Sequence, residues 1–78
     1  MILNNIIDSL SKLLSIDKAD ITADSNLIND LGADSLDIVQ MLIALERDFD
    51  MTFDDDEIRK IRTVGDVAAL IEEKTANK

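Results

Sequence analysis

Apolar residues recur at helical spacing in several separate stretches of the chain. Leu3, Ile6, Ile7, Leu10, Leu13 and Leu14 follow a 3, 4, 7 spacing, which puts them on one face of an amphipathic helix from about residue 2 to 15. Asn4, Asn5, Asp8, Ser11 and Lys12 take the opposite, wet face. The next segment, "SIDKADITADSNLINDLGA", is polar and irregular, yet Ile16, Ile21, Leu27, Ile28 and Leu31 are spread along it. That mixture predicts a long loop pinned to the core, ending in a tight turn at Gly32. A second helix is expected from Ser35 to about Asp48, with Asp34 as N-cap and Asp37 completing a capping-box-like pair. "FDDDEIRKI" predicts a brief third helix capped by Asp54 or Asp55. Thr63 and Asp66 have the Ser/Thr-x-x-Asp/Glu spacing of a helix start, with Val64, Val67, Ala68 and Ile71 following on one face. The expected fold is all-α: a small antiparallel four-helix bundle of three longer helices and one short one, in a single domain over residues 1–78. No internal repeat or domain boundary interrupts it.

The second helix carries more apolar residues than one face needs. At about 100° per residue, Ile38, Met41, Leu42, Leu45 and Phe49 form a stripe wide enough for the core. Leu36, Val39 and Ile43 form another, rotated away from the first, beside Asp37, Gln40 and Glu46. Two readings follow. Either the helix is central and buried all round, or the second stripe is exposed and forms an apolar docking surface rimmed by carboxylates.

Composition supports the helical reading: no Pro, two Gly and 46% hydrophobic residues among 78. With no Cys there is no disulfide to staple so small a domain, and stability must come from the apolar helix faces. No apolar run is long enough to span a bilayer. The N-terminal "MILNNIIDSLSK" lacks a basic leader pattern and reads as the start of the fold, so a cytoplasmic, monomeric protein is expected. The net charge of −9 opposes nucleic-acid binding and attachment to anionic membranes. Its distribution is informative. Residues 20–57 hold twelve acids against the single base Arg47, whereas residues 1–19 balance and the tail from 58 is slightly basic. The acidic field surrounds Ser35, and its complement is a basic patch on a partner protein.

Ser35 itself lies in "LGADSLDI". A catalytic serine needs a general base within reach. The chain contains no His, its lysines lie far off in sequence at 12, 18, 60, 74 and 78, and no G-x-S-x-G elbow is present. The flanking aspartates also oppose an anionic nucleophile, so no catalytic residue is expected and the chain does not read as an enzyme. With Asp34 as the cap, Ser35 falls at the first helical position. There its hydroxyl is either an incidental first-turn group or an attachment point, because the positive end of a helix dipole favours a phosphate ester. The acidic stretches do not form a calcium loop: numbered from Asp48, Phe53 replaces the sixth-position Gly and Arg59 the twelfth-position Glu. No metal site is expected.

"DLGADSLD", Asp30 to Asp37, resembles the phosphopantetheine attachment motif of acyl carrier proteins, with Ser35 matching the modified serine and Asp34 its motif neighbour. "ALERDFDMTF" resembles that family's segment closing helix II, and "IRTVGDVAALIEEK" its last helix, so the likeness covers essentially the whole chain. The resemblance implies a covalent 4′-phosphopantetheine cofactor, moved from coenzyme A onto Ser35 by a phosphopantetheinyl transferase. It implies acyl chains riding as thioesters between fatty acid synthesis enzymes and acyltransferases that carry basic docking patches. By position, partner contacts would fall on Leu36, Asp37, Val39, Gln40, Ile43, Glu46 and Arg47. A sheltered acyl chain would meet Ile38, Leu42, Leu45, Phe53, Ile58 and Ile61. The chain departs from the family in three places. Gln40 and Arg47 stand where fatty-acid-synthesis members commonly carry acids, and the short helix lacks its initial Pro. Rim ion pairs are worth about 0.2–1 kcal/mol each, so the two charge changes would tune recognition without abolishing it.

Overall fold

The computed structural model describes residues 2–76, and Met1, Asn77 and Lys78, which belong to the expected 1–78 domain, lie outside them. Among the described residues four α-helices form in chain order: α1 (Ile2–Leu14), α2 (Ser35–Phe49), α3 (Asp55–Lys60) and α4 (Val64–Ala76). A single 3-10 turn, Lys18–Asp20, lies in the α1–α2 loop. The three longer helices and one short helix are those the periodicity predicts, with ends shifted by a residue or so.

Side-chain and backbone chemistry explains those ends. α1 stops because Ser15 turns left-handed at φ 58°. The Ile16 N–H then bonds back to the Ser11 carbonyl at 3.1 Å, and the Ser11 hydroxyl donates to the Ile16 carbonyl at 2.6 Å, a Schellman-type closure. α2 ends the same way, with Asp50 left-handed at φ 52° and the Met51 N–H reaching the Glu46 carbonyl. α3 is capped by Asp54, not Asp55. Its carboxylate accepts the Glu57 N–H at 2.9 Å while Glu57 accepts the Asp54 N–H at 3.0 Å. At α4, Thr63 Oγ1 accepts the Asp66 N–H, and Asp66 accepts the N–H groups of Thr63 and Arg62.

α1 is the hub of the bundle and packs against both α2 and α4. The core joins Ile6 and Leu10 of α1, Met41, Leu42 and Leu45 of α2, and Val64, Val67 and Ile71 of α4, with Ile21, Leu27 and Phe53 supplied by loops. α3 leans on this core through half-buried Ile58 and Ile61 and is tied to α4 by an ion pair, Lys74 Nζ to Glu57 Oε1, at 2.6 Å.

The α1–α2 loop is pinned, as its apolar residues predict, but by backbone as much as by side chains. The Leu27 N–H donates to the Arg62 carbonyl, the Val64 N–H to Ser25 and the Gly65 N–H to Ala23, at 2.9, 3.1 and 2.8 Å. A Cβ on Gly65 would meet the Ala23 carbonyl oxygen at 3.0 Å, a tight contact that would push this backbone seam apart by a few tenths of an ångström. Ile21 and Leu27 are buried, and Ile16 and Leu31 half-buried. Ile28 differs from the expectation: it is 60% exposed. The Asn26 side-chain oxygen draws in the N–H groups of residues 28 and 29. This tight turn sends Leu27 inward and leaves Ile28 on the outside.

Two outcomes follow. Leu45→Ala, at a site with no exposed surface, lowers the unfolding free energy by about 2–5 kcal/mol, readable by urea denaturation. The Asp54 N–H first, and Lys74 second, hold the Glu57 carboxyl below its usual 4.5. That stabilisation is complete above about pH 4.5 and is lost as pH falls through the lower folded-state value. Glu57→Gln therefore melts below the wild type at neutral pH, and the gap closes on acidification.

Candidate functional site

The site is built on the first turn of α2. Asp34 has extended backbone and its carboxylate accepts the Asp37 N–H at 2.9 Å, while the Asp37 carboxylate accepts the Asp34 N–H at 3.3 Å. Each acid thus satisfies an amide that the helix start leaves orphaned. Upstream, Gly32 at φ 72° turns the chain so that Ala33 is buried and its N–H returns to the Leu27 carbonyl. Ser35 occupies the first helical position and is exposed, and its hydroxyl takes no part in the capping box. It faces solvent at the positive end of a 15-residue helix.

Running away from Ser35 along α2 is the second stripe. Leu36, Val39 and Ile43 are 63%, 46% and 58% exposed, so the helix is not buried all round. Gln40 and Arg47 stand on this face and are also exposed, whereas Asp37 is half-buried. Glu46 has a structural partner that the sequence did not announce: its carboxylate accepts the Phe53 N–H at 2.8 Å and fastens the α2–α3 loop. Their separation of seven residues matches no local capping pattern, so no sequence signal was available.

The residues matched to an acyl shelter separate into two groups. Leu42, Leu45 and Phe53 are buried in the closed core, and Ile38, Ile58 and Ile61 are half-buried at its flank. Ile38 and Ile61 meet across a surface cleft of about 240 Å³, together with Leu27, Ile28, Arg59 and Arg62. Among the described residues no group of three or more acids is placed to hold a metal ion. None of the helices among them is long and apolar enough to cross a membrane.

Comparison with known proteins agrees with this geometry. Residues 4–71 match the family model described as the phosphopantetheine attachment site. The chain belongs to the acyl carrier protein family. It is 43% identical over 75 residues to an acyl carrier protein of Clostridium acetobutylicum, covering 96% of this chain and 97% of that one. It is 41% identical over 73 residues to one of Amoebophilus asiaticus, covering 94% and 91%. A solved structure of a candidate acyl carrier protein from Mycobacterium tuberculosis superposes with a TM-score of 0.88 at 32% identity, over 95% of this chain and 99% of that one. The family's members are carriers, not enzymes, and phosphopantetheine is the group they bear. The residues present fit it: an exposed hydroxyl, unused by the fold, stands at a helix N-terminus where a phosphodiester is electrostatically favoured.

Asp34→Ala removes the cap without touching Ser35, and should lower stability by about 0.5–2 kcal/mol. The fall is measurable as a reduced melting temperature with the helical circular dichroism of the folded state preserved.

Proposed function

We propose that Ser35 is the attachment point for 4′-phosphopantetheine, and that the chain, as one carrier domain over 1–78, shuttles growing acyl groups between enzymes of dissociated fatty acid synthesis. When attached, the group supplies a long flexible arm ending in a thiol, on which acyl groups are held as thioesters. The observation that carries the reading is the free Ser35 hydroxyl beside its own capping box. Asp34 and Asp37 occupy the orphan amides of the first turn, so the hydroxyl is left for modification. The chain has no His and the flanking carboxylates are engaged by the first-turn amides, so on this reading the base that takes the Ser35 proton is supplied by the phosphopantetheinyl transferase.

The remaining residues serve recognition and shelter. Leu36, Val39 and Ile43 offer an apolar contact next to the modified serine, and the acids of residues 20–57 steer basic patches of the transferase, synthesis enzymes and acyltransferases toward it. Asp37, Gln40, Glu46 and Arg47 set the polar pattern of that contact. Half-buried Ile38, Ile58 and Ile61 are the side chains that would part to admit a cargo toward Leu42, Leu45 and Phe53. A cytoplasmic monomer is the state in which this exposed face is free. Gln40 and Arg47, neutral and basic on the docking face, favour as second reading a specialised acyl, polyketide or aminoacyl pathway using the same serine.

Incubation with coenzyme A and a phosphopantetheinyl transferase tests the attachment. Intact-mass measurement should show one added phosphopantetheine on the wild type and none on Ser35→Ala. A wild type left unmodified would instead make the chain a non-acylated interaction module.

A further inference from the structure

The cleft at Ile38 has a feature that the attachment reading does not use. Its apolar wall is formed by buried Leu27, half-buried Ile38 and Ile61 and exposed Ile28, and Asn26 and Asn29 add polar surface. Two exposed arginines, Arg59 and Arg62, line it as well. Neither guanidinium has an ion-pair partner among the described residues, whereas Lys12 and Lys18 are held by Asp8 and Lys74 by Glu57. The carboxylate nearest Arg62 in sequence, Asp66, is bonded to the backbone N–H groups of Arg62 and Thr63, and the one nearest Arg59, Glu57, is taken by the Asp54 N–H and Lys74. The Asn26 side-chain oxygen is likewise taken by the amides of residues 28 and 29. In a chain of net charge −9, this is a small concavity, apolar on one part of its wall and polar on the rest, with two cations that no carboxylate pairs among the described residues.

We infer that this cleft receives acyl cargo ending in a carboxylate. The inference rests on Ser35 being the attachment point. Ile38 follows Ser35 by one helical turn, a separation of about 5–6 Å between side-chain origins, so the cleft lies within reach of a long arm that folds back along the helix. A guanidinium binds a carboxylate through paired, charge-assisted hydrogen bonds. Elsewhere in the acidic middle of the chain the same carboxylate meets its own sign. Tethering raises the local cargo concentration to the millimolar range, so a contact too weak to capture a free acid still holds a bound one. The volume, about 240 Å³, suits a short acyl chain and is far smaller than a protein segment requires. The occupant is therefore cargo, not a docking partner.

The test compares adipoyl with hexanoyl arms, equal in carbon number and differing by the terminal carboxylate, on the wild type and on Arg59→Gln/Arg62→Gln. Adipoyl loading should raise the wild-type melting temperature above that of the hexanoyl form. A fivefold gain in engagement corresponds to about 4–8 °C in a domain of this size. The difference should shrink in 1 M NaCl, where charges are screened within about 3 Å, and vanish in the double variant, whose unloaded form melts like the wild type. Equal melting of the two loaded wild-type forms would overturn the inference, as would an adipoyl gain that survives in the double variant. Failure of either arm to attach to Ser35 would remove the attachment reading itself, and this inference with it. Normal attachment with equal melting removes only the inference.

Discussion

Leu27 is the point on which the arrangement depends. Its side chain is buried, its N–H is spent on the Arg62 carbonyl, and its own carbonyl takes the N–H of Ala33. One residue thereby joins the loop after α1, the junction between α3 and α4, and the approach to Ser35. Long loops are entropically costly to order, and this one is ordered by saturating its backbone. Neighbouring bonds from Val64 to Ser25 and from Gly65 to Ala23 extend the seam. The start of α2 is thus held in place by the start of α4.

The site then follows from local chemistry laid on that frame. A helix start leaves several amides without partners, and a serine at such a place is ordinarily recruited to satisfy one. Here the two aspartates have taken that work, one on each side of the serine. Their reciprocal hydrogen bonds both rigidify the first turn and leave the hydroxyl unengaged. The same pair adds negative charge beside the position proposed for a phosphodiester, which partly offsets the helix dipole. On the proposed reading the same charge attracts the basic surfaces of partner enzymes.

The apolar stripe beside Ser35 illustrates a division of labour within one helix. Met41, Leu42 and Leu45 are buried, whereas Leu36, Val39 and Ile43 stay in contact with water. Exposing three large apolar side chains has a solubility cost that the dense surrounding charge offsets. Glu46 sits between the two roles, because its carboxylate anchors the Phe53 amide and brings Phe53 into the core. That anchoring also links α2 to the loop leading to α3.

Much of this was legible in the residues themselves. The 3, 4, 7 spacing of apolar positions and the capping pairs at Asp34, Asp54 and Thr63 act over one or two turns, so they determine helices wherever the helices are later placed. The motif around Ser35 is equally local, and it determined the family. Tertiary structure decided what local periodicity has no means to express. It chose which of α2's two apolar stripes faces the core, turned Ile28 outward while Leu27 went in, and assigned Glu46 to Phe53. It also brought Arg59 and Arg62 to the same cleft as Ile38. Each of these depends on contacts between residues far apart in sequence, where burial and hydrogen bonding are settled by the neighbours that folding supplies.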